Sequence, residues 1–490
     1  MTKRLSDIMA SRTEIAVSAL ALERDPPITG LTADSRKVVP GTLFAALPGT
    51  LRDGRDFIPQ AIASGAVAIL APKGTSLPEG AGDVVLIEDT NPRRRLALLA
   101  AAFHGEQPAH IAAVTGTNGK TSTAQFTRQL WQALGHKAGA MGTLGLVADG
   151  FPETPSLTTP DPVALHATLA DVARGGVTHL AMEASSHGLD QFRLDGVVVE
   201  AAGFTNLTRD HLDYHGTMAA YLQAKLALFD RVMPKGATAV INADIPEFEQ
   251  IASVAHARKQ TVIGFGMAGK ELRVIDATPL PHGQRLELDL FGKRRTLELP
   301  LVGRFQVWNA LCALGLVIGT GTDAERAADC LVNLTGVRGR LEMVATLPNG
   351  AAVYVDYAHT PDGLETVLRS VRPHTHGRLS VVFGCGGDRD KGKRPMMGRI
   401  AADLADRVIV TDDNPRSEVP GTIRAEVMVG CPGATEVDDR AKAIALAVGE
   451  LGPGDVLVLA GKGHEQGQII GNEVRPFDDA TVARAAVAAL

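Results

Sequence analysis

The residues best suited to chemistry are Gly116-Thr117-Asn118-Gly119-Lys120-Thr121, followed by Ser122. An apolar run at 110–114 precedes them and an amphipathic stretch to 134 follows, so the segment reads as strand, glycine loop and helix. In that context backbone N–H groups wrap a polyphosphate, Lys120 neutralises it and Thr121 can ligate Mg²⁺. The general pattern GxxxxGK[ST] would place its first glycine at 114, where Val114 stands; the flanking strand and helix outweigh that departure. ATP is the expected ligand, although the loop by itself admits other nucleotides.

Two more strand-like runs end in polar residues. The run 178–182 leads to Glu183 and then Ala184-Ser185-Ser186-His187-Gly188, and the run 197–204 leads to Thr205-Asn206-Leu207-Thr208-Arg209-Asp210-His211. Open α/β sheets place their ligand crevice outside the carboxyl ends of the strands. Glu183 and His211 are therefore expected to reach a metal beside the phosphate loop. Singly, Glu183 would be a solvated strand end and His211 a surface-loop histidine; two strand ends converging on one loop tip the reading toward ligands. Lys225, in the helical stretch that follows, reads on its own as an exposed helix lysine. Further on, runs at 379–383 and 407–411 end in Gly384-Cys385-Gly386-Gly387-Asp388-Arg389 and Asp412-Asp413-Asn414-Pro415-Arg416, again polar groups where a crevice is expected.

These groups need a scaffold, and the chain's length of 490 residues favours three domains over one. Short β-type runs and one small helix at 58–64 suggest a small α/β domain over 1–90. Strand–helix alternation from 91 to 337 suggests a mainly parallel sheet, with period-two leucines at 286, 288, 290, 297, 299 and 301 marking an antiparallel flank. The alternation restarts in 338–490, with strands expected at 352–355, 379–383, 407–411 and 456–459. The fold class is α/β throughout. The 49 basic and 55 acidic residues leave a formal charge of −6, which argues against a general nucleic-acid or anionic-membrane binder, so any anionic ligand must meet local charge. Cys312, Cys330, Cys385 and Cys431 form no CxxC pair and read as buried small side chains in a reducing compartment. No apolar run reaches membrane-spanning length and the N-terminus does not look like a signal peptide, so a cytoplasmic protein is expected.

The segments GTNGKT, MEASSHGL, FTNLTRDHLDYHG with Lys225 beyond it, GRLE, VDYAHTP, DNPR and GKGHE occur in this order. Together they resemble the Mur ligase family of cell-wall peptide synthetases. The resemblance implies a uridine-nucleotide domain, a central phosphate-loop ATPase and a dinucleotide-fold-like domain that brings an amino acid. It implies that Lys120 holds the β/γ-phosphates, that Thr121, Glu183 and His211 place magnesium, and that Lys225 is carbamylated by CO₂. The carbamate would supply an anionic oxygen ligand for a second Mg²⁺. Asn309 resembles the family's adenine contact, and Arg340 and Asp356 its nucleotide-binding arginine and aspartate. Ser35 and Thr50 resemble uridine-site positions; Thr158, Thr159, Ser185, Gln191 and Arg193 resemble residues that grip the muramoyl peptide. Arg389, Asp413, Asn414, Pro415, Arg416, Gly461 and Glu465 resemble a pocket for meso-diaminopimelate, whose extra carboxylate suits an arginine fork. The implied reaction adds meso-2,6-diaminopimelate to UDP-N-acetylmuramoyl-L-Ala-D-Glu through an acyl phosphate, by a monomer with small-molecule partners. The rival readings are an L-lysine-adding form of the same ligase, a folylpolyglutamate synthetase-type ligase, and a nucleotide switch that ligates nothing.

Overall fold

The computed structural model describes residues 2–10, 24–49, 52–152, 157–280 and 282–490. The chain divides into two compact units, Met1–Lys270 with Cys312–Ala327, and Glu271–Leu311 with Ala328–Leu490. In the first unit, Gly30–Thr32, Thr42–Ala45, Ala68–Pro72 and Val85–Asp89 form a four-stranded parallel sheet in that order. Leu31, Leu43, Leu70, Leu96 and Phe103 fill one of its faces.

The larger sheet of this unit runs Thr261–Gly266, Thr238–Asn242, Ala201–Phe204, His110–Thr115, His179–Glu183, Ala138–Gly142 and Gly145–Ala148. All neighbours are parallel except the last pair. Its central strands are short, small-residue or apolar runs buried on both faces, as a parallel sheet covered by helices requires. Helix Pro162–Arg174 starts where Asp161 accepts from the N–H groups of Val163 and Ala164 and Pro162 takes the first turn. Ile111, Leu165, Leu169, Leu180, Met182, Phe204 and Phe229 make the core. The strand that enters the phosphate loop lies between His179–Glu183 and Ala201–Phe204, and the register sets Glu183 beside Val114 and Phe204 beside Thr115. Three polar loops therefore leave the sheet side by side. The run expected as a strand from 197 is one only from Ala201, because Gly196, at φ +94°, turns the chain and Val198 faces solvent.

In the second unit Leu272–Leu280, Gly283–Leu290 and Lys293–Leu299 pair antiparallel, as the leucine spacing predicts, with Leu286, Leu288 and Leu290 buried. A six-stranded sheet follows in the order Glu342–Thr346, Ala352–Asp356, Val456–Ala460, Leu379–Phe383, Arg407–Val410, Thr435–Glu436. Only its first pair is antiparallel. Alternate residues supply separate cores on its two faces, Val381 and Phe383 on one, Val382, Leu457 and Leu459 on the other. The strand Val456–Ala460, late in sequence, lies centrally between Ala352–Asp356 and Leu379–Phe383. The loops after these strands consequently diverge around a switch point, where doubly wound sheets bind ligands. All four cysteines are buried and free. No helix among the described residues is long and apolar enough to cross a membrane.

Candidate active site

The glycine loop adopts backbone that other residues resist. Gly116 has φ +142°, and a Cβ there would lie 2.0 Å from Thr205 Oγ1; Gly119 caps helix Lys120–Ala133 at φ +86°. The neighbouring strand end holds the loop from outside: Thr205 Oγ1 donates to the Asn118 carbonyl at 2.6 Å, Asn118 N–H to Asn206 Oδ1 at 2.9 Å, and Thr117 N–H to the Asn206 carbonyl at 2.9 Å. Lys120 Nζ donates to the carbonyls of Gly116 (3.1 Å) and Thr117 (2.8 Å). Thr121 and Ser122 are buried in the first turn of the helix.

Lys225 overturns the reading of an exposed lysine. It is 1% exposed, and its Nζ donates to the same Gly116 carbonyl at 2.7 Å while lying 4.3 Å from the Tyr221 ring centre. Burial pushes its ammonium well below the ordinary lysine range, Lys120 pushes it further, and Asp210 opposes. Helix Met218–Ala227 is apolar over most of its surface, so its sequence hides which face turns inward. Tyr221, one turn earlier, reaches Thr117 Oγ1 at 3.3 Å, and burial raises its phenol to about 12.

Glu183, 2% exposed, ends its strand with Oε1 accepting from Thr143 N–H at 2.7 Å and Oε2 from Thr143 Oγ1 at 3.1 Å. Gly142 permits this approach, since a Cβ there would stand 2.1 Å from Glu183 Oε1. His211 has φ +52°, is half exposed, lies 3.4 Å from Asp210 and meets the His187 ring edge-on at 4.9 Å. Among the described residues no group of three His, Cys, Asp or Glu side chains is gathered as a metal cage. A hydroxyl, a carboxylate and an imidazole near a phosphate loop nevertheless suit Mg²⁺, which takes few protein ligands and completes its shell from water and substrate phosphates. As a protonated amine Lys225 could not join that set.

The residues assigned to the muramoyl peptide come together. Thr159 Oγ1 donates to the Glu183 carbonyl (3.1 Å) and accepts from Ser185 N–H (3.1 Å) and Oγ (3.0 Å); Thr158 lies 3.1 Å from Thr143 Oγ1. Arg193 donates to the Thr159 carbonyl at 2.7 Å and to Gln191 Oε1 at 2.8 Å, and burial disfavours its charged form, so it is poised for an anion. Gln191 Nε2 donates to the Tyr214 hydroxyl at 3.2 Å, which donates to Asp190 at 2.7 Å. Thr143, Tyr214 and Tyr221 escaped the sequence reading, although DHLDYHG placed Tyr214 in plain view three residues after His211. Ser35 stands apart from this cluster, in a single 3₁₀ turn capped by Asp34. Thr50 lies outside the described residues.

In the second unit Asn309 donates to Gln306 at 3.0 Å, and Gln306 to the Arg340 carbonyl at 3.3 Å; the Arg340 guanidinium lies 4.6 Å over the Tyr357 ring. Asp356 accepts from Leu341 and Ala358 N–H at 2.7 and 2.8 Å, and burial raises its carboxyl to about 6 against the pull of Arg340. Asp413, Asn414 and Pro415 are buried, and Gly461, at φ +114°, would place a Cβ 2.6 Å from Asp413 Oδ2. Asn414 Nδ2 donates to Glu465 at 2.8 Å, uniting the DNPR and GKGHE segments. Arg416, at φ +51°, donates to the Gly387 carbonyl at 2.9 Å, with Gly386 leaving room for it. Arg389 is exposed, bonded only to the Asp388 carbonyl at 3.2 Å among its hydrogen bonds in the described residues.

Comparison with known proteins places these residues in a family. Residues 27–104 match the Mur ligase family catalytic domain, 114–317 the Mur ligase middle domain, and 339–463 the Mur ligase glutamate ligase domain. A UDP-N-acetylmuramoyl-L-alanyl-D-glutamate–2,6-diaminopimelate ligase of Caulobacter vibrioides is 55% identical, covering 98% of this chain and 97% of its own. A solved structure of a ligase bearing the same name is 34% identical with a TM-score of 0.74, covering 100% and 99% of the two chains. Mycobacterium tuberculosis folylpolyglutamate synthase with ADP, 21% identical over 80% of this chain and 93% of its own at a TM-score of 0.62, shares the fold. With three family domains matched in order and near-complete coverage by a relative of more than half identity, the chain belongs to the Mur ligase family.

Proposed function

We propose that this protein is an ATP-dependent ligase that joins meso-2,6-diaminopimelate to the D-glutamyl residue of UDP-N-acetylmuramoyl-L-Ala-D-Glu, a cytoplasmic step of peptidoglycan precursor synthesis. The observation that carries the reading is the meeting of Lys120 and Lys225 on one carbonyl of the phosphate loop, beside Glu183 and the Thr159–Ser185–Arg193 cluster. A bare nucleotide switch has no use for a second, buried lysine there whose charged form burial disfavours. The division into 1–90, 91–337 and 338–490 assigns the uridine nucleotide, ATP and the amino acid to successive domains.

Joining a carboxylate to an amine is uphill until the carboxylate is activated. The γ-phosphoryl of ATP passes to the D-glutamyl side-chain carboxylate, with ADP leaving, to give an acyl phosphate; the neutral diaminopimelate amine attacks its carbonyl, and the tetrahedral adduct loses a proton and collapses to amide and phosphate. Glycine-loop N–H groups and Lys120 orient the triphosphate. Arg193 clamps a substrate anion with the fork geometry of a guanidinium, keeping the acceptor carboxylate in line. Asn309, Arg340 and Asp356 serve the nucleotide. Arg416 and Arg389 meet carboxylates of diaminopimelate, and Glu465 accepts from its distal ammonium. Thr121, Glu183, His211 and the Lys225 side chain as a carbamate would hold two Mg²⁺ ions, which supply charge dispersal on the transferring phosphoryl group. The lowered basicity of Lys225 favours the neutral amine with which CO₂ reacts.

The test is direct. Purified protein is incubated with ATP, Mg²⁺ and the UDP-muramoyl dipeptide, with meso-diaminopimelate or L-lysine in parallel, and the product is weighed. A product heavier by diaminopimelate less water is expected; lysine incorporation alone, or ATP hydrolysis indifferent to either amino acid, would refute the proposal.

A further inference from the structure

Lys462 lies inside the GKGHE turn and is 0% exposed, a costly place for an ammonium unless its charge and all its donors are answered. Two side chains take up its charge and two of its three donors. Its Nζ donates to Asn414 Oδ1 at 3.0 Å and to Glu465 Oε2 at 3.3 Å. Asn414 Oδ1 also accepts from Ile469 N–H at 2.9 Å, while its Nδ2 donates to the same Glu465 Oε2 at 2.8 Å. The amide of Asn414 is thus oriented by donors on its oxygen and an acceptor on its nitrogen, and it cannot flip without losing three bonds. Both contacts to Glu465 fall on Oε2. Among the described residues Oε1 takes no hydrogen bond, and the Glu465 side chain remains 31% exposed.

A second buried ion pair lies beside this one. Beneath the turn, Arg440 and Asp479, both fully buried, form a two-point pair at 2.7 and 2.6 Å, and Arg440 also donates to the Ala460 carbonyl at 3.0 Å. Asp479 is engaged there, so Glu465 is the carboxylate that Lys462 contacts. The turn is also closed by its backbone, Glu465 N–H donating to the Lys462 carbonyl at 3.0 Å, and Gly463 lets it press on Tyr357, where a Cβ would come within 2.6 Å of the Tyr357 Cβ.

We infer that Lys462 is a positioning residue for the amino-acid substrate: it anchors one oxygen of Glu465 and the amide of Asn414, so that the other Glu465 oxygen is presented to an ammonium in a single geometry. The inference rests on the proposed diaminopimelate pocket. Lys462 does not itself touch the substrate; it acts through Glu465. Without it, Glu465 would lose one of its two anchors, and amino-acid affinity would fall while nucleotide handling stayed as it was.

The experiment compares the full-length protein with Lys462→Met, which keeps the buried stem, and Lys462→Gln, which keeps donor capacity without the charge. The Arg440–Asp479 pair and the two cores of the sheet do not depend on Lys462, and thermal midpoints verify that each variant folds. Both variants are expected to raise the KM for meso-diaminopimelate at least tenfold and to leave the KM values for ATP and the UDP-muramoyl dipeptide within twofold. Glu465→Gln is expected to raise the same KM, and Lys462→Met combined with Glu465→Gln to be no worse than Glu465→Gln alone. An unchanged diaminopimelate KM in both folded lysine variants, with a raised one in Glu465→Gln, overturns the inference while sparing the pocket. Equal rises in all three KM values, or a fully additive double variant, overturn it as well, since Lys462 would then be general scaffolding. An unchanged KM in Glu465→Gln removes the pocket reading itself.

Discussion

Lys225→Ala isolates the feature on which the proposed chemistry turns. Lys120 and Lys225 donate to one carbonyl oxygen at 3.1 and 2.7 Å, so their nitrogens stand within roughly 6 Å, where two unit charges repel by about 3 kcal/mol at an effective dielectric constant of about 20. Burial is the larger cause and this repulsion adds to it, so the ammonium of Lys225 is disfavoured. The proposed carbamate would reverse the sign of the interaction with Lys120 and add an oxygen ligand beside the phosphate loop. Alanine would remove the proposed anion, and kcat for ligation is expected to drop at least ~10³-fold, about 4 kcal/mol of transition-state stabilisation. The fold should survive, since the cavity left by the stem is offset by removal of a disfavoured buried amine. Phosphate release and product mass measure turnover, circular dichroism and thermal midpoint measure folding, and assays in CO₂-depleted buffer with and without added bicarbonate report the carbamate. Turnover within tenfold of the parent in folded Lys225→Ala, or a parent enzyme indifferent to CO₂, would refute the reasoning.

Three further outcomes are expected. Tyr214→Phe removes the hydroxyl that links Asp190 to Gln191 and, through Gln191, to Arg193; the KM for the UDP-muramoyl dipeptide should rise several-fold with the KM for ATP unchanged, and steady-state kinetics with each substrate varied will show whether it does. Gly116→Ala forces a Cβ to within 2.0 Å of Thr205 Oγ1 in a conformation with φ +142°, so ATP binding measured by calorimetry should be lost or weakened by at least tenfold. His179 is stacked between His136 at 4.1 Å and His110 at 4.5 Å, beside Trp131, with Thr178 Oγ1 2.9 Å from Nδ1 and Glu200 paired to His110. Burial first, then His136 and His110, lower it from 6.5 to about 4. The unfolded chain therefore binds the proton that the folded one refuses, and stability present above about pH 6.5 is lost as the pH falls through about 4, by up to roughly 3 kcal/mol. Thermal midpoints of the parent should decline over that window more steeply than those of His179→Phe; parallel declines would count against the assignment.

Much of the site was legible because its signals are local. The glycine loop needs positive φ at Gly116 and Gly119, and its sequence context announced a strand before and a helix after. The period-two leucines of 286–299 could belong only to strands with one buried face. Polar density after 183, 205, 384 and 411 marked strand ends, and the strands ended within a residue or so of where the runs did. Lys225 was illegible for the opposite reason. Its helix carries apolar residues nearly all round, so periodicity offers no inward face, and an ionisable residue defaults to solvent. Thr143 was hidden too: its backbone N–H and hydroxyl meet Glu183 from forty residues away.

The amino-acid order alone determined the α/β class, the glycine-loop sequence, the family and a set of candidate side chains, because turn chemistry, hydrophobic period and motif spacing are properties of neighbours along the chain. Tertiary structure decided which of those side chains share a space and in what state. Parallel pairing sets Glu183 beside Val114 and Thr205 against the loop; close packing brings Lys225 onto the carbonyl already taken by Lys120, and Lys462 beneath Glu465. Desolvation and Coulomb interaction depend on distance through space, which strand order and helix facing create and which no linear spacing records.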